Sequence, residues 1–292
     1  MRILYIAKFH KMWDEEYIAR SFEMLGHTVG RVDEGSKYRQ IIADIDIFKP
    51  DFVIFAKFRQ PFAQDVIDYC KSKKIKTVCW VFDLYFGYNR QHQLKLPSFS
   101  ADYVVTTDGG DHDWSIYGIN HGVVRQGIYK PECVLEKGDN IYDVLFVGSF
   151  NPYNKERNRI LDLVNSDFSL KWIGKNNDNE IRGMKLNRLY AQSKIVVGDS
   201  VYSPHYWSNR VVETLGRGGF LIHVEVEGLK EAYPHLVTYK RGDYDDLKSK
   251  IEYYLAHDKE RNDIIKKNHK WVLDNYTCDK QCEKLCQNLL IN

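Results

Sequence analysis

Residues 202–224, YSPHYWSNRVVETLGRGGFLIHV, include the side chains best suited to chemistry. Their pattern predicts a polar loop, a short helix, a glycine turn and a buried strand, with Ser208, Asn209 and Arg210 at the helix start. N–H groups at a helix start are unpaired and partly positive, so they suit a phosphate. A guanidinium adds a bidentate partner for phosphate oxygens. The segment therefore predicts a phosphate site centred on Arg210.

A carboxylate and a glycine turn complete this segment. Glu213 lies one turn into the predicted helix, where it could accept hydrogen bonds from a sugar diol. Gly216, Gly218 and Gly219 allow a tight turn before the apolar strand 220–224. Together these features make up the parts of a nucleotide-sugar pocket. The alternative is an ordinary αβ unit in which Glu213 only complements the helix dipole.

A second strand end carries residues of the same kind. Gly148 and Ser149 follow the predicted strand 142–147, and ligands of open α/β sheets lie at the carboxyl ends of strands. A glycine there lets a diphosphate approach the backbone. Lys155 and Arg157 begin the next helix, where they could neutralise a leaving group or form a solvated helix face.

In the first half of the chain, Asp83 ends the buried run CWVFD. Its carboxylate could orient or deprotonate an acceptor hydroxyl, or cap the next helix. Lys8 and His10 follow the first strand and could contact donor phosphate or acceptor. No G-x-G-x-x-G follows that strand, which argues against a dinucleotide oxidoreductase. The sequence DHD at 111–113 mimics a manganese-binding D-x-D motif, but its place at the start of a predicted helix, 112–117, favours a helix cap.

The arrangement Ser208-x-Arg210-x-x-Glu213, followed by Gly218 and Gly219, resembles the donor motif of GT-B glycosyltransferases. It is most similar to glycosyltransferase group 1 and the spore-maturation enzymes related to it. LFVGSFNPYNKER at 145–157 resembles the first strand and loop of their donor domain, whereas the first half of the chain is less similar.

The resemblance implies an α/β fold with GT-B architecture: two Rossmann-like domains whose parallel sheets face each other across a cleft. It implies metal-independent transfer of a sugar from a nucleoside diphosphate sugar, a UDP-sugar first of all, to a hydroxyl acceptor, with retention of configuration and without a cofactor. Arg210, Arg157 and Asp83 would then be catalytic. The donor contacts would be Gly148, Ser149, Lys175, Ser208, Asn209, Arg210 and Glu213.

One position departs from the family pattern. Related retaining families carry two glutamates eight positions apart; Glu213 matches the second, whereas His205 occupies the first. This substitution keeps open a non-catalytic nucleotide-sugar-binding protein. We place His205, Lys8 and His10 at the cleft as further candidates.

Strand and helix signals alternate along the chain, as expected for parallel sheets covered by helices. The predicted organisation is an N-terminal domain at 1–127, a linker at 128–140, a nucleotide-sugar domain at 141–274 and a C-terminal helix at 275–292 that could pack on the first domain. Cys278, Cys282 and Cys286 fall on one stripe of that helix, which favours packing over metal binding.

Composition limits the class of partner. Lysine and arginine total 42 against 40 acidic residues, so no global field draws the chain to nucleic acid or an anionic membrane. No signal peptide or run of roughly 20 apolar residues is present, so we expect a cytoplasmic enzyme without membrane insertion. The acceptor stays open: glycan, small molecule, protein or modified DNA. The run Lys71, Lys73, Lys74 and Lys76 gives some support to glycosylation of a hydroxymethylated DNA base.

Overall fold

The computed structural model describes residues 1–86, 90–150, 155–174 and 181–291. The predicted donor contact Lys175, with Asn176, lies outside these ranges. Contacts between Cα atoms divide the chain into two compact units: Met1–Tyr129 together with the C-terminal helix, and Lys130–Thr277.

The first unit is built on a parallel sheet in the order β2-β1-β3-β4-β5-β6. Its strands are β1 (Arg2–Ala7), β2 (Thr28–Asp33), β3 (Phe52–Phe55), β4 (Lys76–Val81), β5 (Tyr103–Thr106) and β6 (His121–Val123). Helices α1 (Asp14–Met24), α2 (Tyr38–Phe48) and α3 (Ala63–Ser72) connect the first four strands.

Both faces of this sheet are buried. Along β1, Leu4 and Ile6 belong to one core cluster, whereas Ile3 and Tyr5 belong to a second. This alternation follows from the two-residue repeat of a strand, and burial on both faces explains the nearly continuous apolar runs.

The second unit contains a parallel sheet in the order β11-β10-β9-β7-β8. Its strands are β7 (Tyr142–Val147), β8 (Leu170–Ile173), β9 (Ser193–Gly198), β10 (Leu221–Val224) and β11 (Val237–Tyr239). Its helices are α4 (Lys155–Asp167), α5 (Met184–Ala191), α6 (Arg210–Gly216), α7 (Leu229–Ala232), α8 (Tyr244–Ala256) and α9 (Asp258–Asn275). The predicted α/β class with two parallel sheets is confirmed.

The C-terminal helix α10 (Cys278–Ile291) belongs to the first unit. Cys282 and Leu285 are fully buried and share a core cluster with Ile18 and Phe22 of α1. The Cys278 thiol donates to the carbonyl oxygen of Gly127 at 2.9 Å. The cysteine stripe therefore packs the helix against the unit.

One local prediction changes. The helix predicted at 112–117 is a single 3₁₀ turn, Trp114–Tyr117. The Asp113 carboxylate accepts a hydrogen bond from the Ser115 backbone N–H at 3.0 Å, so part of the DHD sequence acts as a cap. Within the described ranges, no helix has both the length and the apolar composition to cross a bilayer.

Candidate functional site

Arg210 begins α6, and its guanidinium lies beside the carboxyl ends of β7 and β9. Its Nε donates to the carbonyl oxygen of Val147 at 2.8 Å, and Nη1 donates to Asp199 Oδ1 at 2.9 Å. The guanidinium carbon is 4.6 Å from the centre of the Phe146 ring, a cation–π contact. Nη2 has no hydrogen-bond partner among the described residues and lies beside Gly148, where a Cβ would be only 2.6 Å away. Gly148 therefore leaves room in front of two N–H donors of a buried cation.

Asp199 joins Arg210 to a second arginine. Arg157 Nε donates to Asp199 Oδ2 at 2.7 Å, and Arg157 Nη1 donates to the carbonyl oxygen of Ser149 at 3.2 Å. Burial alone would raise the pKa of Asp199, but Arg210 and Arg157 lower it below the ordinary value. Two guanidinium groups and one carboxylate leave one net positive charge at this edge.

Burial also affects Arg210 itself. It lowers the pKa of the guanidinium, an effect that Asp199 opposes. An arginine nevertheless stays protonated at neutral pH because the ordinary pKa of a guanidinium lies far above neutrality. With its side chain 11% exposed, Arg210 is a fixed charge in a poorly solvated site, where electrostatic interactions are stronger than in water.

The loop before α6 is held by its own hydrogen bonds. The backbone N–H of Ser208 donates to Ser200 Oγ at 3.0 Å, and that of Arg210 donates to Ser208 Oγ at 3.3 Å. The N–H of Val211 donates to the Ser208 carbonyl at 3.1 Å, and the Asn209 side chain makes no capping bond. These N–H groups are thus already paired, so in this structure the available positive charge comes chiefly from the arginine side chains.

Below this loop, His223 is fully buried on β10. Its Nδ1 is 2.8 Å from the Val224 carbonyl and its Nε2 is 3.5 Å from Ser200 Oγ. A proton on Nδ1 would let Nε2 accept from the serine hydroxyl, which in turn accepts from Ser208. Burial lowers the pKa of His223 to about 4.

This burial predicts a pH dependence of folding. Between pH 6.5, the ordinary pKa of histidine, and about 4, the unfolded chain takes up a proton that the folded chain excludes. The free energy of unfolding should therefore fall on acidification, by up to about 1.4 kcal/mol per pH unit from this residue. Urea unfolding at pH 7 and at pH 5 would measure how much the free energy of unfolding falls between the two. We expect this fall to be smaller for His223→Gln than for the wild type. Burial also lowers the pKa of His121 to about 4, but this residue is present in both proteins, so its contribution to the pH dependence is the same in each. The same pH dependence in both would contradict the prediction.

Glu213 pairs with a buried arginine, Arg217, which directly follows the end of α6. Its Oε2 accepts from Arg217 Nε at 2.7 Å, while Oε1 has no hydrogen-bond partner among the described residues. Arg217 is 2% exposed and also donates to Glu132 at 2.5 Å and to Asn187 at 2.6 Å. Burial alone would lower the pKa of Arg217, but Glu213 and Glu132 raise it. One oxygen of Glu213 is thus fixed towards the interior, which leaves the other for a ligand.

Glu132 places part of the predicted linker inside this network. It is buried, and its carbonyl accepts from Asn187 Nδ2 at 2.8 Å. A Cβ at Gly138 would lie 1.9 Å from the Ala191 carbonyl oxygen, so the chain passes α5 closely. Much of the segment after Tyr129 therefore packs as part of the second unit.

His205 has a left-handed backbone with φ +55°. Its N–H donates to the Glu227 carbonyl at 3.0 Å, and its Nε2 lies 3.4 Å from Glu227 Oε1. The side chain thus contacts the loop after β10, at the position where the related families carry glutamate.

Arg241 is a functional candidate that the sequence analysis missed. It follows β11, and its Nη1 donates to Glu156 at 2.9 Å while Nη2 donates to the Ser200 carbonyl at 3.1 Å. Glu156 and Ser200 are the chain neighbours of Arg157 and Asp199. Arg241 therefore links the start of α4, which carries Arg157, to the segment after β9, which carries Asp199. Asp199 directly follows β9 and Arg241 comes two residues after β11, so a charged residue just after a strand end is a signal that could have found both.

In the first unit, Asp83 follows β4 and is ion-paired. Its Oδ2 accepts from Lys57, and Arg90 Nη1 lies 3.5 Å from the same oxygen. Burial, with help from Arg59 and Arg90, lowers the pKa of Lys57. The pairing holds the Asp83 carboxylate at the carboxyl edge of this sheet.

The other two candidates in this unit follow β1. Lys8 Nζ is 3.5 Å from Glu34, with the lysine side chain 60% exposed. The His10 ring is 4.5 Å from the Trp13 ring. The structure thus brings Arg157, Arg210, Gly148, Ser149 and Ser208 together in the second unit, while Lys8, His10 and Asp83 belong to the first.

The family model described as Glycosyl transferase-like matches residues 139–287, which contain the whole Arg157–Asp199–Arg210 cluster. Comparison with the sequences of curated proteins gives no significant match.

Solved structures with two Rossmann-like domains resemble the whole chain. Sucrose-phosphate synthase of Thermosynechococcus elongatus is 12% identical, with a TM-score of 0.66, and the likeness covers 99% of this chain and 98% of that one. HepE of Anabaena in complex with UDP-glucose is 11% identical, with a TM-score of 0.68 and complete coverage of both chains. An α-glucosyltransferase in complex with UDP and DNA is 8% identical, with a TM-score of 0.71, and covers 100% of this chain and 99% of that one. These likenesses establish the GT-B fold.

Proposed function

The chain belongs to the glycosyl transferase-like family, and we propose that this glycosyltransferase moves a sugar from a UDP-sugar to a hydroxyl acceptor. Structures with the same fold have been obtained with UDP-glucose and with UDP, which supports the choice of donor. The nucleotide would be held by the second unit.

The observation that carries this proposal is the arginine pair at the ends of β7 and β9. Asp199 accepts hydrogen bonds from both guanidinium groups. The guanidinium carbons of Arg210 and Arg157 lie 4.6 and 5.7 Å from the centre of the Phe146 ring. The net positive charge and the open N–H groups beside Gly148 suit a diphosphate, whose oxygens accept charge-assisted hydrogen bonds. Ser149, Ser208 and Asn209 are proposed as additional donor contacts around this centre.

The proposed reaction breaks the bond between the anomeric carbon and the diphosphate oxygen. UDP departs with the electron pair, the acceptor oxygen bonds to the anomeric carbon, and the hydroxyl proton is released. Arg210 and Arg157 would stabilise the negative charge that builds on the diphosphate. We assign Asp83 to orienting the acceptor hydroxyl and taking its proton, and we propose retention of configuration because of the similarity of the Ser208–Glu213 motif to retaining enzymes.

Donor binding provides the direct test. A UDP-sugar at about 100 times its dissociation constant should add roughly 2.7 kcal/mol to the free energy of unfolding. We would compare melting with UDP-sugars, other nucleoside diphosphate sugars and free sugars, then follow transfer or slow hydrolysis of the best donor. Stabilisation by no nucleoside diphosphate sugar would contradict the proposed donor. Binding without any turnover would contradict catalysis.

Glu213 is proposed to bind the ribose hydroxyls through Oε1. Glu213→Ala should weaken UDP binding by about 1.5 to 3 kcal/mol, because it removes charge-assisted hydrogen bonds. Calorimetric titration with UDP would measure the loss. Glu231→Ala, on an exposed part of α7, is the matched control. Unchanged affinity in a folded Glu213→Ala protein would remove Glu213 from the pocket.

Metal dependence is a separate prediction. The arginine pair supplies the positive charge that a metal ion would otherwise bring to the diphosphate, so turnover should persist in excess EDTA. Steady-state assays with and without chelator, followed by added manganese, would measure it. Loss of activity that manganese restores would show that a metal takes part.

A further inference from the structure

A cavity of about 310 Å³ lies in the first unit, where β4 and β5 begin. Lys71, Lys74 and Lys76 line it, and Ile75 and Leu289 supply apolar surface. The candidate residues of this unit follow the opposite, carboxyl ends of the strands. The cavity is therefore separate from the proposed acceptor region.

The charge in this cavity is largely uncompensated. Among the described residues, none of the three lysines forms a salt bridge, and Lys76 Nζ has only a 3.4 Å contact with the Leu289 carbonyl. The one carboxylate of the lining, Asp102, already accepts from the Thr77 N–H and hydroxyl, each at 2.8 Å. Three lysines and one aspartate give a net charge of +2.

A helix end does not account for these lysines. Lys71 lies in the last turn of α3, where a cation interacts favourably with the helix dipole. Lys73 lies 5.3 Å from the ring of Tyr69 and is not part of the cavity lining. Lys74 and Lys76 come after the helix, so their position around the cavity needs another reason.

We propose that this cavity binds a phosphate monoester of a small organic molecule. A phosphate monoester carries about 1.5 to 2 negative charges at neutral pH, which matches the net charge of the lining. Lysine ammonium groups bind phosphate as point charges. The hydroxyl of Tyr103 can bond to polar groups of the ligand, while Ile75 and Leu289 contact its carbon skeleton. The volume is at the lower end of the range for small-molecule sites, which favours a compact ligand over a polymer.

Calorimetric titration of the intact protein tests this site with glucose 6-phosphate, glucose and inorganic phosphate as separate probes. We expect the sugar phosphate to bind at least 10-fold more tightly than glucose, and Lys74→Ala/Lys76→Ala to weaken its binding at least 10-fold. Lys266→Ala/Lys267→Ala removes the same charge from α9 and should leave binding unchanged. Binding by inorganic phosphate alone would identify a site for the free ion and overturn the organic ligand.

Three other results would also overturn the proposal: no binding of either phosphate probe up to about 10 mM, equal losses in the two double variants, or tighter binding of a DNA duplex that Lys74→Ala/Lys76→Ala abolishes. The Arg210→Ala protein should bind the sugar phosphate as well as the wild type does. This comparison separates the cavity from the proposed donor site, because a failure of one leaves the other intact.

Discussion

Replacement of Arg210 by alanine should lower turnover with a UDP-sugar by on the order of 100-fold or more, while the Michaelis constant for donor changes far less. As the bond to the sugar breaks, negative charge builds on the diphosphate. A guanidinium already fixed by Val147 and Asp199 then stabilises the transition state more than the bound donor. Steady-state kinetics with donor varied at saturating acceptor would measure both constants.

Two variants control this experiment. Arg210→Lys should recover only part of the activity, since a single ammonium nitrogen cannot reproduce the planar fork whose separate nitrogens bond Val147 and Asp199 and leave Nη2 for the diphosphate. Arg188→Ala removes an exposed arginine from α5 of the same unit and should leave turnover unchanged. If Arg210→Ala raised only the Michaelis constant, Arg210 would be a passive anchor. The catalytic charge would then have to come from Arg157, Lys155 or Lys8.

The strands were the most predictable part of this molecule. Strand β7 has the bounds predicted from sequence, 142–147, and β10 begins one residue later than the predicted strand 220–224. Such strands are predictable because parallel strands buried on both faces are short apolar runs between polar segments. The helix predicted at 112–117 was wrong for a local reason. Asp113 and the left-handed Gly118 enclose a single turn between them.

The candidate site was predictable only where one segment carries it. Arg210 and Gly148 could be placed because each sits next to a recognisable strand or helix end. The residues that pair with the arginines could not be predicted. Arg157 and its partner Asp199 are 42 positions apart in the sequence, and Arg217 and its partner Glu132 are 85 positions apart. Sequence spacing indicates neighbours on one helix face, but pairs between distant elements depend on how the sheet orders its strands.

The second large effect is expected from removing Arg217, which is ion-paired with both Glu132 and Glu213. Arg217→Met should lower the free energy of unfolding by about 3 to 5 kcal/mol, because it leaves Glu132 and Glu213 near each other without their shared cation. Urea unfolding at pH 7 would measure the loss. Adding Glu132→Gln to this variant removes one uncompensated carboxylate, so the double variant should be more stable than Arg217→Met alone.

The same variant tests how Glu213 is held. If Arg217 fixes the Glu213 carboxylate so that Oε1 meets the ribose, the folded Arg217→Met protein should bind UDP more weakly than the wild type, and the double variant should stay weak although its stability improves. Weak UDP binding in a stable double variant would show that the loss of affinity comes from the misplaced Glu213 carboxylate and not from the lower stability of the unit. A stability loss below about 1 kcal/mol would instead show that the buried network contributes little, as many buried ion pairs do when apolar groups can replace them. Normal UDP binding in a stable double variant would show that Glu213 needs no fixed partner.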